Sequence, residues 1–332
     1  MLPHAPLAET IAAYESELDQ LPVLSALGLR RGLAVEPLAY KLFEAYGVQV
    51  DLVRADQLHP VISGNKWYKL KYNLLEAQRQ GCHELLSFGG VWSNHLHGLA
   101  CLASALKMSS VGVVRGEEHD ATTNPMLLDA ARQGMRFEFV SRQQFRQLRD
   151  DHRAMAATGR YLIPEGGDNQ LGMLGAASMV NSLQCDVSRY SHGIITVGTG
   201  CTYAGLRLGL PSQVTLLGVS ALKGMWVQRA IAEKMGQLEV PEASWLLSTE
   251  HHRGGFAVVD ESLLSFITEF RDNTGVALEP VYTGKAMLAL IDFIQQQIIP
   301  GGSRVLFIHS GGLQGLRGFK PPLKPNPDIP DE

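Results

Sequence analysis

Ser63-Gly64-Asn65-Lys66-Trp67-Tyr68-Lys69-Leu70 is the stretch on which the reading of this chain turns. It lies between an extended segment ending near Pro60 and a helix expected from about Lys66 to Gln80, with Leu70, Leu74, Leu75 and Ala77 on roughly one side. Gly64 allows a sharp turn into that helix, and Asn65 is placed to cap it through its side-chain oxygen. A lysine just inside a helix start is electrostatically unusual, because the partial positive charge there disfavours an ammonium and lowers its pKa. The neutral amine is a nucleophile able to form a Schiff base with a carbonyl. Taken alone, the stretch reads more simply as a solvated lysine beside Lys69 and Lys71, and the rest of the chain decides.

The remainder alternates strand and helix. Strands are expected at Val48–Val53, Glu84–Phe88, Val111–Val114, Phe137–Val140, Tyr161–Pro164, Gly193–Val197, Val214–Val219 and Arg304–His309, with an extended segment at Val276–Val281. Helices are expected at Ala8–Leu18, from Asn94 to about Met108, at Asn124–Gln133, about Gln143–Thr158, from Gly167 to about Gln184, and at Ala204–Leu210, Met225–Met235, Glu261–Thr274 and Lys285–Gln297. That alternation predicts an α/β protein with parallel sheet and helices packed on it. From Lys320 onward the chain is proline-rich and reads as an extended or disordered tail.

Composition bounds the function. The 332 residues fit one large domain or two ordinary ones, and 45% hydrophobic with 19% charged content describes a globular protein with ample core. A net charge of −4 with no basic run argues against nucleic acid as a partner. No long apolar segment suggests a membrane span, and the N-terminus carries no secretory pattern, so cytoplasmic residence is the expectation. Cys82, Cys101, Cys185 and Cys201 are scattered, and His95 and His97 do not share a helical face, so no metal site is expected.

Four loops carry candidate chemistry. Gly198-Thr199-Gly200-Cys201-Thr202 joins an apolar strand to a helix. It reads either as a phosphate cradle of converging N–H groups and hydroxyls or as an ordinary tight turn. It contains no lysine or arginine, so backbone and hydroxyl groups would hold a single phosphate. Ser93-Asn94 follows Gly89-Gly90 and starts a helix whose free N–H groups suit a carboxylate, although a plain capping serine fits equally. Tyr282-Thr283-Gly284-Lys285 offers a tyrosine at a strand end, an acid/base or a core-edge aromatic. Ser310-Gly311-Gly312 follows the last strand. Carboxyl ends of parallel strands are where ligands bind, so four such loops favour one site. An imine-forming lysine, a phosphate cradle and an anion-binding helix start together fit pyridoxal phosphate.

The motifs Ser63–Leu70, Gly89-Gly90-Val91-Trp92-Ser93-Asn94-His95, Gly198–Thr202, Glu279–Met287 and Phe307-Ile308-His309-Ser310-Gly311-Gly312 occur in one order. Together they resemble the 1-aminocyclopropane-1-carboxylate deaminase / D-cysteine desulfhydrase family of tryptophan-synthase-β-like, fold type II pyridoxal phosphate enzymes. The resemblance covers about residues 35 to 318. It implies two open, twisted, mostly parallel sheets flanked by helices, with residues 69–160 as a smaller domain inserted into a larger one of residues 1–68 and 161–319, and a tail of 320–332. It implies a homodimer and a small amino-acid substrate. Lys66 would carry the cofactor and move the α-proton, and Asn94 would bond the ring hydroxyl. Ser93 would hold the substrate carboxylate beside Asn94 and His95. Gly198, Thr199, Gly200, Cys201 and Thr202 would bind the phosphate, and Tyr282 would be a catalytic hydroxyl.

Departures bear on the substrate. The deaminases have glutamate, facing the pyridine nitrogen, where this chain has Thr283, and leucine where it has Ser310. Hydroxyls at both cofactor-contacting positions look like the desulfhydrase branch and suit β-elimination. The resemblance therefore implies a lyase that converts D-cysteine to pyruvate, ammonia and hydrogen sulfide. The alternatives are cyclopropane deamination to 2-oxobutyrate, or a cofactor-binding or amino-acid-sensing protein with little catalysis. Phe256 stands where family members carry a second active-site tyrosine, so it would face substrate without a hydroxyl. His97-Gly98 replaces the usual Arg-Gln.

Overall fold

The structure is a computed structural model that describes residues 6–21, 27–29, 32–151, 155–238 and 244–319. The expected tail and Pro22 lie outside them. Ten strands form two sheets among the described residues. The larger sheet contains β1 (Val35–Pro37), β2 (Gln49–Val53), β7 (His192–Val197), β8 (Thr215–Ser220), β9 (Trp245–Ser248) and β10 (Arg304–Ile308), in the order β1-β2-β10-β7-β8-β9. Only its β1–β2 pair is antiparallel. The smaller sheet is wholly parallel, in the order β5-β4-β3-β6, from β3 (Glu84–Gly90), β4 (Ser109–Arg115), β5 (Met135–Val140) and β6 (Arg160–Leu162). This is the architecture the alternation predicts. β6 straddles residues 160 and 161, so the chain returns to the larger sheet only after Leu162.

Parallel strands are covered on both faces, and their apolar runs follow from that. One face of the larger sheet packs on α2 (Lys41–Ala45), α10 (Glu261–Thr274) and α11 (Thr283–Gln295) through Phe43, Leu263, Phe270, Leu290 and Phe293. The other packs on α8 (Cys201–Gly209) and α9 (Met225–Gln237) through Ala204, Leu206, Val227 and Ile231. In the smaller sheet, Leu85 and Val114 meet α4 (Asn94–Ala105) and α5 (Pro125–Arg132). Leu86, Phe88, Val111 and Val113 meet Phe145 of α6 (Arg142–Asp150) on the other side.

One helix joins these layers. α3 (Asn65–Arg79) buries eight consecutive residues, Tyr68 to Leu75. Tyr68 enters the larger sheet's core and Leu70, Leu74 and Ala77 the smaller sheet's. Tyr72 and Leu75 pack against α1 (Leu7–Leu18) and α7 (Gln170–Ser178). Polar groups on such a helix need partners. Lys71 and the Tyr72 hydroxyl both reach Glu15 of α1. The Asn73 amide donates to the Lys69 carbonyl at 2.8 Å and receives a bond from Asn169 at 2.7 Å.

Three expectations change. Val276–Val281 pairs with no strand. Pro280 lacks an N–H, and the N–H groups of Val281, Tyr282 and Thr283 donate to the Glu279 carboxylate at 2.6–2.8 Å, so a side chain takes the donors a sheet would have used. The expected Gln143–Thr158 helix ends at Asp150. Strands β1 and β9 are additional; both lie at edges and are short.

α7 crosses α3 closely at Gly175, where an added Cβ would lie 1.9 Å from the Tyr68 carbonyl oxygen. Gly175→Ala is therefore expected to cost ~1–3 kcal/mol by forcing the helices apart. Gly236→Ala, on α9 with nothing nearby, should be neutral or stabilise by ~0.4–1 kcal/mol. Thermal melts of the two variants, side by side, check this contrast.

Candidate active site

Lys66 lies in the first turn of α3, behind a backbone turn only glycine can make. Gly64 has φ 66° and ψ −141°. A Cβ there would sit 1.8 Å from the Ser310 carbonyl oxygen, so the loop after β10 passes directly over the helix start. The Asn65 N–H donates to that carbonyl at 3.3 Å. The Asn65 side chain does not cap the helix, contrary to expectation. Asn65 is itself the first helical residue, and its amide is used elsewhere. Its Oδ1 accepts from Lys66 Nζ, and its Nδ2 donates to Thr202 Oγ1 at 2.8 Å. Lys66 as a residue is half-buried. Burial of its amine, then the like charge of Lys69, brings the amine down to about 7, against the opposing pull of Glu279.

Helix α4 packs against the start of α3. A Cβ at Gly98 would lie 3.6 Å from Lys66 Cβ, so the two helices touch. Ser93 is the N-cap, its Oγ accepting the Leu96 N–H at 3.2 Å. Among the described residues, four buried side-chain polar atoms lack a partner, and two are here: Asn94 Oδ1 and His95 Nδ1. The other ring nitrogen of His95 bonds Ser87 Oγ at 2.9 Å. Burial, with Lys69 and Lys66 adding, holds the His95 pKa well below its ordinary value, so the imidazole is neutral.

The cradle loop opens α8. Gly200 takes φ 87°, where a Cβ would strike Ile231 at 2.1 Å. Cys201 donates its thiol to the Gly167 carbonyl at 3.2 Å, and burial pushes that thiol up to about 12, so it stays protonated. The loop has a cation after all. Lys69, three residues after Lys66 and on the same side of α3, is buried beside it. A Cβ at Gly166 would lie 3.1 Å from Thr199 Cγ2 and 3.6 Å from Lys69 Nζ. The i, i+3 spacing is the sequence signal that identifies this lysine.

Tyr282 and Thr283 begin α11. Tyr282 points at the cradle: a Cβ on Gly198 would lie 3.8 Å from its hydroxyl. Burial, with Glu279 and Glu165 adding, raises the phenol's pKa. Thr283 is fully buried and its hydroxyl is engaged, accepting the Glu279 N–H at 2.9 Å and lying 3.3 Å from Glu279 Oε1. Ser310 reaches the site through its carbonyl. Phe256 stands at the rim, 48% exposed, its ring centroid 5.9 Å from that of Tyr282.

The sequence-predicted residues thus converge on one cleft, Phe256 at its edge. The residues fit a phosphorylated pyridine aldehyde: a buried near-neutral amine, an unpartnered amide oxygen on the helix packed against its own, and glycine-lined space beside a lysine and a helix N-terminus. A family model described as pyridoxal-phosphate dependent enzyme matches residues 31–311. The chain belongs to that family. As a pyridoxal-phosphate enzyme it also has a curated relative named D-cysteine desulfhydrase from Klebsiella pneumoniae, 29% identical over 92% of this chain and 98% of the relative. Its fold is shared with a crystal structure of an ACC deaminase homologue, with TM-score 0.72 and 24% identity, covering 86% of this chain and 91% of that one. Threonine deaminase isoform 2 of Solanum lycopersicum has the fold too, with TM-score 0.64 and 14% identity over 93% of this chain and 86% of its own.

In this pyridoxal-phosphate enzyme the Gly64 turn fixes the lysine. Gly64→Ala is expected to weaken cofactor binding at least ~tenfold, because strain and overlap with Ser310 must move the helix start. Titration of the cofactor's visible absorbance on the variant measures it.

Proposed function

We propose that this enzyme is a lyase of the D-cysteine desulfhydrase type. It removes the α-proton of a small amino acid and expels the β-substituent, converting cysteine and water to pyruvate, ammonia and hydrogen sulfide. The observation that carries the reading is the enclosed Lys66 amine, lowered to about 7 at the junction of the cradle and the α4 turn. The D-cysteine assignment draws on the curated relative.

Each residue then has a task. Lys66 holds the cofactor covalently, and its freed amine takes the α-proton, for which a pKa near 7 is suited. The Gly198–Thr202 loop, the first N–H groups of α8 and Lys69 hold the phosphate. Asn94 Oδ1 is the acceptor for the ring hydroxyl. Ser93 and the first turn of α4 hold the substrate carboxylate beside the neutral His95. Tyr282, kept protonated by burial, donates to the departing sulfur. Bound, the cofactor supplies the electron sink for the pair left at Cα. Residues from about 69 through β6, which ends at Leu162, act as the smaller domain against the rest, in a cytoplasmic homodimer.

The first experiment is the visible spectrum of the purified protein before and after D-cysteine, with sulfide measured. A band that shifts with sulfide release is expected, with no 2-oxobutyrate from the cyclopropane substrate. An intact band with no turnover across D- and L-amino acids would overturn the lyase reading. Lys66→Ala should lower kcat by ~10³-fold or more; wild-type turnover in that variant would end the assignment of Lys66.

A further inference from the structure

Glu279 opens the Glu279–Met287 motif, yet the sequence assigns it no role. It is 2% exposed, and every bond its carboxylate makes leads to the start of α11. Oε2 accepts the Val281 N–H at 2.8 Å, and Oε1 accepts those of Tyr282 at 2.8 Å and Thr283 at 2.6 Å. The Thr283 hydroxyl closes the ring, accepting the Glu279 N–H at 2.9 Å and lying 3.3 Å from Oε1. The carboxylate also faces the cleft. A Cβ on Gly312 would lie 3.3 Å from Asn94 Nδ2, 3.6 Å from Glu279 Cγ and 3.8 Å from Glu279 Cδ.

We propose that Glu279 is a positioning residue of this site: its carboxylate fixes Tyr282 and Thr283 on the first turn of α11 and supplies the buried negative charge that balances Lys66. This rests on the reading of Lys66 and Tyr282 given above. Burial raises the Glu279 carboxyl above its ordinary range, and the three N–H donors and His309 oppose that rise by favouring the carboxylate. Tyr282 is the residue that caps α11 and its own side chain accepts none of the helix's first N–H groups, so the Glu279 carboxylate takes that part. Lys66 is coupled to Lys69 on its own helix, Cys201 on α8, His95 on α4 and Glu279; only Glu279 among these contributes a charge that stabilises the ammonium, since Cys201 is held protonated and His95 neutral. Glu279 in turn faces His309, Lys285 and Tyr282.

The test uses the full chain stripped of cofactor. The rate at which the visible band appears on adding pyridoxal phosphate rises with pH as Lys66 loses its proton. Glu279→Gln removes the charge, so the ammonium is less favoured and the midpoint of that profile moves down, by roughly one pH unit. Glu279→Asp keeps the charge and retracts it by one methylene. Its midpoint stays near wild type, while kcat on D-cysteine falls at least ~tenfold as Tyr282 loses its hold. A merely structural cap would lower the melting temperature of both variants and leave the midpoint unmoved. An unmoved midpoint in folded Glu279→Gln overturns the charge-balancing role, and wild-type kcat in Glu279→Asp overturns the positioning role whether or not the glutamine variant folds. Should wild type develop the band yet leave D-cysteine intact, the substrate reading fails, and the Glu279 comparison stands on the midpoints and on kcat for whichever amino acid is turned over.

Discussion

A helix buried on every side cannot carry lysines unless the fold answers for each of them, and α3 carries three. Lys71 is answered by Glu15 of α1 and lies over the rings of Tyr68 and Tyr72 at 4.8 and 4.9 Å. The other two are left for the cleft. Lys66 and Lys69 are one turn apart and like-charged, and both have their pKa lowered by burial. Two buried amines side by side are tolerable only if one is neutral or an anion sits between them. The cradle loop supplies hydroxyls and N–H groups but no anion. On the reading proposed above, a phosphate beside Lys69 and a carbonyl partner for Lys66 would complete the arrangement, and the same burial that costs stability favours the neutral, nucleophilic form of Lys66.

Most of this fold is legible in the sequence, because the strands of a doubly covered parallel sheet are apolar runs and several helices between them are capped by conventional residues. Asn124 and Ser141 cap where expected types suggest they should. The site is legible where it is local: Lys66, Ser93-Asn94 and Gly198–Thr202 each lie within one turn. It is not legible where side chains answer each other across the chain. Asn65 looks like a cap, but its amide is taken by Lys66 and by Thr202, 137 residues on. Val276–Val281 has strand composition, but Glu279 takes its N–H groups. Thr283 looks like a free hydroxyl, but the same carboxylate engages it. Periodicity and propensity carry no information about such partners.

The rim shows a different kind of constraint. Between 253 and 257 the chain takes positive φ at Arg253, Gly254, Gly255 and Ala257, two of them residues with a Cβ. Such strain persists only where the surroundings hold it. Lys285, a buried amine on the first turns of α11, donates to the carbonyls of His252 at 2.9 Å and Gly255 at 2.8 Å. Arg253 is held by Asp260. The same helix start thus positions Tyr282 through Glu279 and Phe256 through Lys285, so the inner and outer walls of the cleft share one support.

The two sheets are joined across the cleft by contacts of unequal weight. At the rim, Arg317 pairs with Asp129 at 2.8 Å, with His97 3.3 Å from the same carboxylate oxygen. The Arg317 and Asp129 side chains are 40% and 33% exposed, and pairs of that kind contribute about 0–1 kcal/mol. In the interior, α3 alone feeds three apolar clusters, and each fully buried side chain of leucine size is worth about 1.5–3 kcal/mol. The alignment of the sheets is therefore set by the helix that carries Lys66, not by the polar contacts at the mouth. Chemistry placed on the first turn of that helix thus sits on the element the two sheets share, while the Arg317 contact lies at the exposed rim.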